Sequence, residues 1–116
     1  MDIISRNIYN DINELSDLSL QKKLWLNENN DTGLISSYDE VMCRLFDDNG
    51  VDDFIDVTAS KIGMPDELIS KLKKLRSMLN TYQQKETDKE IINDKEWKLI
   101  ADQAKIILSE WAKSKM

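Results

Sequence analysis

The chain has 116 residues, 41% apolar and 33% charged, with no histidine, a single cysteine and a net charge of −6. That length suits one domain able to bury a core without staples, and the lone Cys43 excludes an intrachain disulfide and points to a reducing compartment. The lack of histidine removes the usual general base, the usual triad partner and the commonest zinc ligand together.

One proline, three glycines and little alternation of β-branched with polar residues predict an all-α chain, a single domain over residues 1–116. About six helices, two of them long, are expected to pack in an orthogonal or bundle-like way. The opening MDIISRNIYNDI carries an early acid and lacks an unbroken apolar run, so it does not read as a secretory signal. No stretch approaches the ~20 apolar residues of a membrane span, and a cytoplasmic protein without a membrane partner is expected.

In chain order, Ile4, Ile8, Ile12 and Leu15 mark one stripe of a first helix. A short helix follows around Leu18 to Leu26, where at least one of Leu24, Trp25 and Leu26 must face outward because they are consecutive. In SSYDEVMCRLFDD, Ser37 and Glu40 have capping-box spacing, with Val41, Met42, Leu45 and Phe46 facing inward and Cys43 at the core edge as a packing residue. Asn49 and Gly50 end that helix. The next spans about Asp52 to Ile62 and buries Phe54, Ile55, Ala59 and Ile62. After Gly63, Pro65 with Asp66 and Glu67 opens a helix whose stripe is Leu68, Leu72, Leu75, Leu79 and Tyr82. TDKE at 87–90 is a second capping box. The last helix starts near Asp94 and buries Trp97, Ile100, Ala101, Ala104, Leu108 and Trp111.

Charge is uneven along this framework. Residues 39–56 hold seven acids (Asp39, Glu40, Asp47, Asp48, Asp52, Asp53 and Asp56) against Arg44 alone, while the rest of the chain is balanced. Helix capping uses one or two such acids. Asp47 and Asp48, however, fall at the negative end of their helix, where a carboxylate costs a few tenths to ~1 kcal/mol. A localised anionic surface attracts cationic partners and repels nucleic acid.

Other chemistries fit less well. Glu28 to Asp39 follows a calcium-loop frame with Gly33 at its sixth place, but Glu28, Thr32 and Asp39 stand where the frame calls for a shorter or longer acid, and Ser37 and Glu40 are claimed by the helix start. Lys71, Lys73, Lys74 and Arg76 resemble a phosphate stripe, though four bases on a solvated helix face are ordinary. Adjacent carboxylates among other acids, with no nucleophile or substrate clamp, lack the parts of an active site. No GxGxxG, GxxxxGK[ST] or CxxC motif is present. No enzyme activity, metal or cofactor is expected.

The stretch LWLNENNDTGLISSYDEVMCRLFDDNGVDDFID, residues 24–56, resembles a type of small α-helical immunity protein found beside contact-dependent growth inhibition toxins, through its SSYxE followed by LFDD. The resemblance implies a cytoplasmic antitoxin that binds the C-terminal domain of a toxin delivered by a neighbouring bacterium, often a nuclease acting on RNA. The expected partner surface is Asp47, Asp48, Asp52, Asp53 and Asp56, rimmed by Asp39 and Glu40, with Tyr38 as an aromatic anchor. The alternative is an acidic regulatory or adaptor protein, or a nucleic-acid mimic, directed at another basic protein.

Overall fold

In the computed structural model of the chain, which describes residues 2–114, helices begin where short polar side chains satisfy the otherwise orphaned first N–H groups. Asp2 accepts from Ser5 N–H to open α1 (Ile3–Ser16), and Asp17 from Leu20 N–H to open α2 (Leu18–Leu26). Ser37 accepts from Glu40 N–H at 3.0 Å to open α3 (Tyr38–Cys43), and Thr87 from Glu90 N–H at 3.2 Å to open α7 (Asp88–Ile92). Both are starts that the sequence predicts. Between them lie α4 (Val51–Asp53), α5 (Ala59–Lys61) and α6 (Asp66–Thr81), and α8 (Lys95–Lys113) closes the chain. Pro65 stands just ahead of α6, which has Asp66 and Glu67 in its first turn.

Two rods change pitch. Asn49 N–H donates to the Arg44 carbonyl, five residues back, at 2.8 Å, and Ala59 N–H donates likewise to Phe54. Residues 44–48 and 54–58 are therefore π turns, each fitting one residue more than an α turn. The first continues α3; the second joins α4 to α5. Gly50 breaks the chain between them at φ +57°, a conformation that costs a glycine little. The fold is all-α, with seven continuous helical rods among the described residues. Three are long rather than two, since α1 has 14 residues beside 16 in α6 and 19 in α8.

α8 is the centre of packing, with α1 and α6 laid against it and α2 against α7. A single apolar cluster draws on every rod. Phe54 stacks on Trp111 with ring centres 5.8 Å apart, and Trp97 touches Trp25, Tyr38 and Tyr82 at 5.3 to 5.9 Å. The predicted stripes hold with local exceptions. Ile4 is exposed and Ser5 takes its place in the α1 stripe; in α8, Ile107 is fully buried and Leu108 only partly so. Leu24 and Trp25 are core residues, with Leu26 half-buried.

Gln21 is a polar residue fully enclosed in this core. Its amide N–H groups donate to the Glu14 and Leu15 carbonyls, both at 2.9 Å, satisfying the frayed end of α1, and its oxygen accepts from Trp97 Nε1 at 2.9 Å. One side chain thus ties α1, α2 and α8. Replacing Gln21 with leucine leaves the Leu15 carbonyl and the Trp97 indole N–H buried without partners, and the Glu14 carbonyl with only its longer bond from Asp17 N–H at 3.5 Å; each orphaned group costs ~1–3 kcal/mol. Urea unfolding of Gln21→Leu should show a stability loss of about 2 kcal/mol or more.

Candidate partner-binding surface

The acidic segment is organised by where its one base goes. Arg44 leaves the end of α3 and points back at α1, where Nη2 donates to Glu14 Oε1 at 2.8 Å and Nε lies 3.8 Å from Asp11 Oδ1. Glu14 is buried and accepts two further bonds through Oε2, from Trp25 Nε1 at 2.9 Å and Ser36 Oγ at 2.7 Å. Burial works against the Arg44 charge, but the hydrogen bond it donates to Glu14 and the nearby charges of Glu14, Asp11 and Glu40 outweigh it and raise its pKa. The Asp11 pKa is raised too, which for a carboxyl disfavours the charged form: burial raises it, although Asn49 donates to Oδ2 at 2.8 Å and Arg44 lies close. Arg44 is thus engaged by α1, with about a third of its side chain still open to solvent, and among the described residues it makes no ion pair with the acids that follow it.

Those acids fall into two groups. Asp52 and Asp56 flank Arg76 of α6, which donates to them at 3.2 and 3.0 Å. That hydrogen bond, with the charges of Arg76 and Lys73, holds the Asp56 carboxyl below its usual range. Both remain exposed, as expected of the patch, but the charge of Arg76 partly compensates them. Asp47, Asp48 and Asp53 are exposed and make no ion pair or hydrogen bond among the described residues. Asp47 and Asp48 end the first π turn, and Asp53 immediately precedes the second. Asp48 also borders an open polar recess of about 370 Å³ shared with Asn7, Asn10, Asp11, Arg44 and Asn49. At the rim, Asp39 accepts from Gln84 at 3.2 Å and Glu40 is exposed.

Tyr38 is the clearest correction. It is 7% exposed, in edge contact with Trp25 and Trp97 and tilted against Tyr82, so it is core and offers a partner no anchor. Burial, reinforced by Asp39, raises its hydroxyl pKa. Cys43 departs from expectation in the opposite sense. Val41 and Leu45 define the inward face, and a residue two positions from each projects from the far side, so Cys43 is exposed. Of the four bases on α6, Lys71 pairs with Glu110 and Arg76 with the two aspartates, while Lys73 and Lys74 face solvent.

The calcium-like frame is an internally bonded loop. Asn30 Oδ1 accepts from both the N–H and the hydroxyl of Thr32, and Asn30 Nδ2 donates to the Leu34 carbonyl at 2.6 Å. Among the described residues no three acidic or sulfur side chains converge as a metal site would require. No helix among them is long and apolar enough to cross a membrane. Compared with known proteins, the chain matches no family model, no curated protein and no solved structure.

Two features are not apparent from the sequence, the pairing of Arg76 with the acidic segment and the exposure of Leu34 and Ile35. Arg76 lies twenty or more positions from its aspartates, and only the docking of α6 brings them together. Leu34 and Ile35 are exposed in a loop that the frame analysis treated as a string of ligands. Because the folded Asp56 pKa lies below its ordinary 3.8, its pairing stabilises the fold above that pH and the benefit is lost as pH falls through the folded value. In Arg76→Gln, a carboxyl-carbon NMR titration should find Asp56 back in the ordinary carboxylate range.

Proposed function

We propose that this protein is a cytoplasmic immunity protein: a non-enzymatic inhibitor that docks a cationic toxin domain, a nuclease by preference, against the surface formed by Asp47, Asp48 and Asp53, with Asp52, Asp56, Asp39 and Glu40 around it. The observation that carries this reading is the inward turn of Arg44, which leaves three carboxylates bare on the outer side of a helix break. Two of them stand at the unfavourable end of their rod. Local stability gives no reason for that placement, whereas a basic partner does. The resemblance carried by SSYxE followed by LFDD in residues 24–56 implies the same role.

A nuclease holds phosphate with cations, so a carboxylate surface competes for the same field and excludes the substrate sterically. No bond is made or broken. Exposed charges act chiefly on encounter, where electrostatic steering is worth ~10- to 10³-fold in rate and fades with salt. Asp52 and Asp56 contribute less than the bare trio, because Arg76 shares their charge.

The test is stopped-flow association with the C-terminal toxin domain encoded beside this gene. Asp47→Asn, Asp48→Asn and Asp53→Asn together should slow capture about tenfold or more at low salt and flatten its salt dependence. An unchanged rate and salt slope would overturn this assignment, as would a neighbouring gene encoding no toxin.

A further inference from the structure

We infer that Leu34 and Ile35, in the loop between α2 and α3, form the apolar anchor with which this surface grips its cationic protein partner; this rests on the reading above and identifies where the binding energy comes from. Both side chains are largely solvent-facing, at 65% and 72%, and neither belongs to the apolar core. Neighbouring side chains diverge, so a segment lying flat on the body would bury one of the two. This segment stands away from it.

It also stands in a fixed shape. Asn27, Asn29 and Gly33 take left-handed backbone conformations. Asn30 Nδ2 bonds the Leu34 carbonyl at 2.6 Å and Thr32 Oγ accepts from Leu34 N–H at 3.0 Å, so both backbone groups of Leu34 are held. One residue beyond Ile35, Ser36 is buried, its N–H on the Leu24 carbonyl at 3.0 Å and its hydroxyl on Glu14 at 2.7 Å. A loop fixed at both ends has already lost the freedom that binding would otherwise cost it.

Charge indicates what covers it. Residues 28–43 contain Glu28, Asp31, Asp39 and Glu40 and no lysine or arginine of their own; Lys23 lies 3.8 Å from Asp31, and Arg44 reaches the base of the loop from the rod beyond it. Ser36 accepts from Arg44 Nη2 at 3.2 Å, which joins the loop to the rod ending in Asp47 and Asp48. The other adjacent exposed pair, Ile3 and Ile4, has Arg6 close by and no comparable run of acids. An apolar tip in a stretch of chain that carries acids and no base of its own fits a partner with an apolar recess beside cationic groups, the arrangement in which a central contact holds and the surrounding charge steers.

Leu34→Ser with Ile35→Ser should leave the thermal melt unchanged and weaken affinity for the adjacent-gene toxin domain about 10- to 100-fold, almost wholly through faster dissociation, with the salt dependence of association retained. An unaltered dissociation rate overturns the anchor. If the Asp47, Asp48 and Asp53 variant is impaired while this one is not, only the anchor falls; if neither is impaired, or the unmodified protein does not bind, the functional reading falls with it. Sedimentation showing a dimer that the Leu34, Ile35 variant abolishes, with toxin binding intact, would assign the tip to a second copy and overturn the proposal.

Discussion

Glu14 is a carboxyl group inside a helical core, and Arg44 is the cation that reaches it. The magnitudes explain why Arg44 turns inward although several aspartates follow it in sequence. An exposed pair with one of them is worth ~0–1 kcal/mol, whereas abandoning a buried acid costs ~3–5 kcal/mol. The interior wins. The same carboxyl fixes Trp25 and Ser36, so one group sets the seat of α2, the base of the 27–37 loop and the direction of Arg44. The bare acids and the raised apolar tip both follow from satisfying it.

On the other side of the helix break the opposite choice is made. Arg76 leaves α6 at the surface and spans Asp52 and Asp56, which lie on the rod of α4, the second π turn and α5. This pairing grades the anionic surface instead of abolishing it, with full charge at Asp47, Asp48 and Asp53 and partial compensation beyond. The π turns belong to the same geometry, since the first lies within the acidic segment, the second begins in it, and each inserts a residue that re-aims the side chains after it. Asp47 and Asp48 gain no help from the dipole of their rod, while Asp52 and Asp53 sit in the favourable first turn of theirs.

Much of the framework was legible from local chemistry. Ser37 with Glu40, Thr87 with Glu90, and the apolar stripes of α6 and α8 act within a few residues, and they appear where the spacing puts them except for Tyr82, just past the end of α6, and Leu108, whose place Ile107 takes. Tyr38 was not legible. An aromatic beside a cap looks accessible until α2, α8 and the segment after α6 bring Trp25, Trp97 and Tyr82 against it. Arg44 was misleading for a related reason: proximity in sequence suggested the aspartates, but its true partner lies thirty positions earlier. The π turns have no pattern in residue spacing that separates them from α turns. Leu34 and Ile35 were hidden by reading the loop for ligands, when its asparagines and Thr32 bond to one another.

The central claim is that Glu14 owns Arg44. A double-mutant cycle in urea, combining Glu14→Gln with Arg44→Met, measures that ownership directly. A coupling of about 2 kcal/mol or more is the result this account predicts. Coupling near zero with Glu14, accompanied by coupling of Arg44 to Asp48 in the matching cycle, would place the guanidinium among the surface acids and contradict it.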